Sequence, residues 1–144
     1  MDTIRSHRDL EAWQVAMDAV EETYRLTAGF PAREVYGLQA QMRRASVSVP
    51  SNIAEGQARP VRAALNHLSI ALGSLAELDT QLEVALRLKY LAEENVKELR
   101  RLLESSRRLV YGLRRAKRRS LAGSVAGSAC IFLAAFYAAS LILA

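Results

Sequence analysis

Apolar residues recur along the chain at gaps of three and four, which is the spacing of one face of an α-helix. The pattern first predicts a helix from about Asp9 to Ala28. Its large apolar side chains form one seam, comprising Leu10, Trp13, Met17, Val20, Tyr24 and Thr27. Because Trp13 and Tyr24 occupy seam positions, we expect both rings to be core residues rather than platforms for nucleic-acid bases.

The next apolar stripe crosses a proline without a change of phase. It comprises Leu38, Met42, Ala45, Val49 and Ile53. A proline inside a helix removes one backbone donor and clashes with the preceding turn, at a cost of about 3 kcal/mol or more. The unbroken stripe favours a single helix, from about Ala32 to Glu55, that is kinked at Pro50. The alternative is two helices, the second capped by Ser51 or Asn52.

Two further helices follow in the sequence. Helix 3 is predicted from about Val61 to Tyr90, with a broad leucine-rich face, and helix 4 begins between Glu93 and Asn95. The seam of helix 4 repeats the gaps of three and four, with Val96, Leu99, Leu103, Ser106, Val110 and Leu113. Gly73 lies in the middle of helix 3, where it costs about 1 kcal/mol relative to alanine. We therefore expect the backbone of the kinked helix to approach it closely.

Four helical seams joined by short loops predict an all-α protein. The expected architecture is an antiparallel up-down-up-down four-helix bundle over residues 1–120, with the second helix kinked at Pro50. A hydrophobic C-terminal segment, residues 121–144, follows as an extra helix. The sequence thus divides into one bundle domain and one apolar tail.

The C-terminal segment contains no charged residue. As a helix its 24 residues would be about 36 Å long, which is enough for a hydrocarbon core of about 30 Å. Five basic residues precede it, as expected of a positive-inside flank: Arg114, Arg115, Lys117, Arg118 and Arg119. Three roles are open for this segment. Its length and its basic flank favour the first role, a membrane anchor. The second role is a helix buried in an oligomer or against the bundle, and the third is a tail with no selected role.

The charge of the chain is concentrated in helix 4. Between Lys97 and Arg119, ten basic residues stand against Glu98 and Glu104, which gives this segment +8 in a chain whose total is +5. Six arginines come in pairs every seven residues and therefore share one sector of the helix surface: Arg100, Arg101, Arg107, Arg108, Arg114 and Arg115. They are the candidate nucleic-acid-binding residues, because guanidinium groups suit phosphates. The alternative is a solvated basic face, and the scarcity of interleaved aromatic residues argues against base stacking.

A set of polar residues accompanies the seams of helices 2 and 3. The set comprises Arg43, Arg44, Asn52, Glu55 and Glu77. Two interpretations are open. In the first, these residues form a contact face for RNA or for a partner. In the second, they form ion pairs that fix the register of the two helices. Opposite charges on neighbouring helices favour the second, in which Arg43 or Arg44 pairs with Glu55 or Glu77.

The sequence shows no catalytic or metal-binding constellation. His7 lies in the polar N-terminal end, His67 stands alone on helix 3, and glycine-rich phosphate loops are absent. The single cysteine, Cys130, excludes an intramolecular disulfide and a cysteine zinc cluster. We therefore expect a protein without cofactor or metal that is not an enzyme. The N-terminus lacks a secretory signal, which predicts the cytoplasm, with attachment to the inner membrane if the tail is an anchor.

The run from Gln41 to Gly56 resembles the signature of the bacterial four helix bundle protein family, which is encoded in 23S rRNA intervening sequences and related to the accessory variability proteins of diversity-generating retroelements. Three more stretches match, Asp9–Gln14, Phe30–Leu38 and Ala71–Leu78, so the resemblance spans residues 6–118. The positions that carry the structural motif are Arg43, Arg44, Pro50, Asn52, Glu55, Gly56, Gly73 and Glu77.

The resemblance implies a barrel-shaped homopentamer and a link to nucleic acid through the retroelement relatives. We accordingly expect a non-enzymatic, oligomeric bundle that binds RNA or a reverse-transcriptase complex through a basic surface. The alternative hypothesis is a membrane-attached scaffold, whose basic helix meets anionic lipid and whose C-terminal segment is the anchor.

Overall fold

The structure is a computed structural model that describes the backbone of residues 6–142 and the side chains of residues 6–122. It contains four α-helices: α1 (Glu11–Thr27), α2 (Leu38–Gln57), α3 (Val61–Arg87) and α4 (Lys97–Ile142). Short 3-10 turns precede α1, α2 and α4, at His7–Asp9, Ala32–Glu34 and Glu93–Asn95. No strand occurs over the described range. The all-α class and the four helices are therefore confirmed.

The second helix begins later than its sequence pattern predicted. Residues 32–34 form a 3-10 turn, and α2 starts only at Leu38. The side chain of Glu34 caps this later start, because its Oε2 accepts a hydrogen bond from the Leu38 backbone N–H at 2.9 Å. That carboxylate satisfies a donor that the first turn of a helix leaves free.

Helix α2 continues through Pro50 from Leu38 to Gln57. The single-helix interpretation is therefore correct, and the two-helix alternative is wrong. The residues proposed as caps instead bond to the preceding turn of the same helix. Ser51 Oγ donates to the Val47 carbonyl at 2.8 Å, and Asn52 Nδ2 donates to the Ser48 carbonyl at 2.9 Å.

Three of the four helices bury the faces that their sequences predicted. In α2 the buried stripe comprises Met42, Ala45, Val49 and Ile53. In α3 the main buried apolar residues are Leu68, Leu75, Leu78, Leu82 and Ala85. In α4 they are Val96, Leu99, Leu102, Leu103 and Val110, with Ser106 also fully enclosed. Helical spacing was sufficient here because most of the large apolar residues of these helices face neighbouring helices, with Ile70 and Tyr111 among the exposed exceptions.

The seam predicted for helix 1 is correct at Leu10 and Thr27, which are buried, and in part at Trp13, which packs against the core, but it is wrong at Met17 and Tyr24. Met17 is 41% exposed and Tyr24 is 43% exposed. The buried face is instead lined by Ala12, Ala16, Ala19, Thr23 and Leu26. Small side chains let α1 lie close to both α2 and α4, its two neighbours. The Thr23 and Thr27 hydroxyls donate to carbonyls of their own helix, at 2.7 and 2.8 Å, so neither is buried without a partner.

Cross-helix contacts give the order of the helices around the core. Helix α1 packs on α2 and α4, and α3 packs on the same two helices. Ser48 of α2 contacts Ser74, whereas Asn52 contacts His67, so residue numbers rise along α2 as they fall along α3. Helix α4 has the same relation to α3, since Arg100 contacts Glu83 and Arg107 contacts Asp79.

The close backbone approach expected at Gly73 is absent. A Cβ built on Gly73 would meet no atom within 4 Å among the described residues, and Gly73 is exposed. Helices α2 and α3 instead come together at Gly56. A Cβ there would lie 3.3 Å from His67 Cβ and 3.4 Å from the Ala64 carbonyl oxygen.

The backbone of α4 runs without a break from Lys97 to Ile142. The predicted boundary between residues 120 and 121 therefore falls inside a single helix. The side chains of residues 123–144, which form nearly all of the predicted apolar tail, lie outside the described residues. In the part that the structure does describe, no helix has the length and apolarity needed to cross a membrane.

Candidate nucleic-acid interface

Three of the predicted arginines of α4 form ion pairs with carboxylates, namely Arg100, Arg107 and Arg101. Arg100 Nη2 lies 3.4 Å from Glu83 Oε2 of α3 and 3.5 Å from Glu93 Oε2. Arg107 Nη2 lies 3.2 Å from Asp79 Oδ2, also of α3. The pairs with Glu83 and Asp79 join α3 to α4, although each of these partly exposed pairs contributes only about 0–1 kcal/mol. They also neutralise part of the positive charge of the arginine stripe, which the sequence predicted to be unpaired.

Arg101 forms a fork with Glu98 one turn earlier on the same helix. Its Nε and Nη2 donate to the two carboxylate oxygens at 2.9 and 2.6 Å. This hydrogen bonding lowers the pKa of Glu98 and raises the pKa of Arg101. The first half of the predicted stripe is therefore largely occupied by intramolecular partners.

The second half of the stripe differs, because Glu104 is the last carboxylate-bearing residue of the chain. Seven basic residues follow it, and we call residues 107–119 the terminal basic segment. Its basic residues are Arg107, Arg108, Arg114, Arg115, Lys117, Arg118 and Arg119. Within the described residues, Arg107 is the member of this segment that forms an ion pair. Arg108 Nη2 bonds to the neutral Ser105 hydroxyl at 3.2 Å.

A shallow cleft of about 290 Å³ opens along the terminal basic segment. It is lined by Tyr111, Arg114, Arg115 and Arg118. Arg114 Nε is shielded from solvent and has no hydrogen-bond partner among the described residues. The residue Tyr111 is 54% exposed. The prediction that few aromatic residues lie among the arginines overlooked Tyr111. The sequence shows this residue three and four positions before Arg114 and Arg115, one helical turn away.

The arginines of α2 do not form the predicted ion pairs with Glu55 or Glu77. The Arg43 guanidinium lies over the Tyr24 ring at 4.5 Å, and its Nε donates to Thr27 Oγ1 at 2.9 Å. Arg44 donates to Gln41 of its own helix at 2.9 Å. Arg43 thus faces α1 rather than α3, which is why pairing by opposite charge failed.

The α2–α3 register is fixed instead by neutral polar groups and a histidine. Ser74 Oγ donates to Ser48 Oγ at 2.8 Å. His67 Nδ1 lies 3.1 Å from Asn52 Oδ1 and 3.6 Å from Glu55 Oε2. Since the Asn52 amide nitrogen donates to the Ser48 carbonyl, its oxygen faces the imidazole. Asn52 and Glu55 therefore do take part in the contact, but with a histidine that the sequence pattern left without a partner.

An apolar groove runs along the outside of α1 and α2. It encloses about 260 Å³ and is lined by Trp13, Met17, Val20, Val47, Pro50, Ser51 and Ala54. Trp13 is half-buried and makes an edge contact with His7, with the ring centroids 5.2 Å apart. Three residues that the sequence assigned to the core seam of helix 1, Trp13, Met17 and Val20, thus line an outer surface together with one face of α2. We call this surface the α1–α2 groove.

Four packed helices with a basic outer face define a helical-bundle protein, and no group of three metal-ligating side chains occurs among the residues described. The family is shown by sequence. The chain matches the 23S rRNA-intervening sequence protein family over residues 8–112 and belongs to it. No curated protein matches the chain. The matched region includes Tyr111 and ends before Arg114.

Proposed function

We propose that this protein is a non-enzymatic, oligomeric bundle that binds RNA through the terminal basic segment. The observation that carries the proposal is the run of seven basic residues that follows the last carboxylate of the chain. Membership of a family described by a 23S rRNA intervening sequence supports RNA as the polyanion. The RNA carried by a reverse-transcriptase complex would be bound by the same chemistry.

The expected mode of binding is contact with the phosphate backbone. Each arginine presents planar, forked donors and a permanent charge, which match phosphate oxygens. Neutralised phosphates release their counterions, so the affinity should fall steeply as salt rises. Such contacts position the RNA without reading its sequence.

We also propose that a second copy of the chain covers the α1–α2 groove. The core is closed on this side by Ala12, Ala16 and Ala19, while Met17 is exposed and Trp13, half-buried against the core, also lines the groove. Large apolar side chains gathered on an outer surface are typical of an interface. The bundle that we propose is up-down-up-down and kinked at Pro50, and family resemblance suggests five copies in a closed ring.

Salt-dependent RNA binding by the full chain tests the proposal with two matched double variants. Arg108→Gln with Arg115→Gln removes two charges without ion pairs among the described residues. Arg100→Gln with Arg101→Gln removes two charges engaged by Glu83, Glu93 and Glu98. The first variant should reduce the slope of log K against log salt by about 0.7–0.9 for each phosphate that the protein no longer neutralises. The second should change the slope less.

Two results would contradict RNA binding by this segment. One is an equal loss of slope in the two double variants when circular dichroism shows both to be folded. The other is a wild-type chain that binds phosphatidylserine vesicles and no RNA, which would favour the membrane-scaffold hypothesis.

A further inference from the structure

Tyr111 is an exposed aromatic ring between the basic residues of the terminal segment. It is 54% exposed and has no hydrogen bond, ring contact or cation–π contact within the described structure. We infer that Tyr111 stacks on an unpaired base, so that the terminal basic segment prefers single-stranded RNA to duplex RNA. The inference rests on the proposed RNA binding and adds the class of RNA.

Helical spacing sets the ring between cations. Arg114, Arg115 and Arg118 follow Tyr111 by three, four and seven residues and line the same cleft. Arg108 precedes it by three residues, so arginines are attached one turn, about 5.4 Å, to either side of Tyr111 along the helix. A strand that follows the helix could thus place one base on the ring and its neighbouring phosphates on the arginines.

The environment of Tyr111 differs from that of the other exposed tyrosines. The Tyr24 ring is already covered by the Arg43 guanidinium at 4.5 Å. Tyr36 is 95% exposed but lies in the turn before α2, next to Glu34 and away from the terminal basic segment. Tyr111 therefore combines a free ring with adjacent cations that have no carboxylate partner in the described part of the chain.

Stacking on one side chain discriminates between forms of RNA. In a duplex both faces of each internal base are covered by neighbouring bases, so the ring has no face to contact without unstacking the helix. In a single strand the bases can turn outward and stack on aromatic side chains. The arginines would bind either form through phosphates, so the preference should depend on Tyr111 alone.

The test compares full-length wild type with Tyr111→Leu, Tyr111→Phe and the control Tyr36→Leu. Affinity is measured for a single-stranded RNA, a duplex of equal length and a single strand that lacks bases. Tyr111→Leu should weaken binding of the base-containing single strand by about 5- to 150-fold, the range expected when one base stack is removed. Its binding of the duplex and the abasic strand, and its salt slope, should not change. Tyr111→Phe and Tyr36→Leu should behave as wild type.

The failures of this inference and of the proposed function are distinguishable. Equal affinity of wild type and Tyr111→Leu for the single strand overturns stacking, even if the arginine variants still lose their salt slope. An equal loss of affinity for all three ligands also overturns it, because Tyr111 would then act by maintaining the helix and not by stacking on a base. Wild type that binds none of the three ligands overturns the proposed function itself.

Discussion

Thr27 connects the end of α1 to the beginning of α2 through one side chain and one carbonyl. Its hydroxyl donates to the Thr23 carbonyl at 2.8 Å and accepts a hydrogen bond from Arg43 Nε at 2.9 Å. Its own carbonyl accepts from Gln39 Nε2 at 3.0 Å. Because these groups are buried, removal of one partner would leave another unsatisfied, at a cost of about 1–3 kcal/mol. This contact places Arg43 over Tyr24 and away from α3.

Two glycines provide a matched test of packing at the residue scale. Gly73→Ala should raise the free energy of unfolding by about 0.5–1 kcal/mol, because alanine favours the helix and its Cβ meets open space. Gly56→Ala should raise the free energy of unfolding by less than Gly73→Ala does, or should lower it. Its Cβ would lie 3.3 Å from His67 Cβ and 3.4 Å from the buried Ala64 backbone.

Urea unfolding of both variants measures this difference. Circular dichroism of the folded proteins serves as the control for helix content. A Gly56→Ala variant as stable as Gly73→Ala would show that α2 and α3 separate easily at this point.

At the scale of the element, α2 owes its first turn to residues outside it. Glu34 Oε2 accepts from the Leu38 N–H, and its Oε1 accepts from the Tyr90 hydroxyl at 3.0 Å. A Cβ at Gly37 would lie 2.5 Å from Glu34 Oε2, so glycine leaves room for this carboxylate. The hydrogen bonds from Leu38 and then Tyr90 lower the pKa of Glu34. The start of α2 and the α3–α4 connection thereby share one carboxylate.

The lowered pKa predicts a contribution to stability that depends on pH. Since the folded-state pKa lies below the unfolded value, about 4.3, the contribution is complete above that value and is lost as pH falls through the folded pKa. Glu34→Gln keeps an oxygen for Leu38 but cannot ionise. It should lower Tm at neutral pH and reduce the difference in Tm between neutral and acidic solution.

Thermal unfolding at both pH values measures the effect. Tyr90→Phe, which removes only the second donor, should give an intermediate difference. An unchanged acid dependence in Glu34→Gln would mean that the ionised carboxylate contributes nothing to this cap.

The spacing of apolar residues predicted the existence of each helix. It predicted the buried face only in helices whose largest apolar side chains are also the buried ones. In α2 and α4 the large residues of the stripe are the buried ones. In α1 the alanine stripe from Ala12 to Thr23 has the same helical spacing as the stripe from Trp13 to Tyr24, so periodicity alone could not choose between them. The choice depends on how closely α2 and α4 approach α1, which is a property of the assembled bundle.

The candidate site was predictable in part for a similar reason. A sequence shows that arginines are concentrated in helix 4, and it shows that carboxylates cease after Glu104. It does not show that Glu83 and Asp79 of α3 face Arg100 and Arg107. It likewise gave no partner for His67, because Asn52 and Glu55 come from another helix.

At the scale of the whole molecule, the described residues include an apolar outer surface and a basic one. The α1–α2 groove collects Trp13, Met17 and Val47, whereas the terminal basic segment lies on α4. Assembly through the groove would leave the basic residues of each copy accessible. Each copy in an oligomer would then add phosphate contacts to a common ligand, which raises affinity by effective concentration.

Assembly through the groove predicts a specific effect of Met17→Glu. A carboxylate in a covered apolar surface is strongly unfavourable, so this variant should dissociate into monomers. Ile70→Glu, at a residue on α3 that is 45% exposed and does not line the groove, is the matched control and should remain assembled. Sedimentation velocity distinguishes the two outcomes. A monomeric wild type at tens of micromolar, or equal dissociation of both variants, would contradict assembly through this groove.

Trp13 is the only tryptophan of the chain, and it lies in the α1–α2 groove beside His7. Because Trp13 is half-buried and packs against the core as well as lining the groove, its ultraviolet emission reports both on folding and on what covers the groove. Dilution that separates assembled copies should shift this emission to the red while the helical circular dichroism stays constant. The chain thus carries its own optical probe of association, which needs no label and is distinguished from unfolding by the constant circular dichroism.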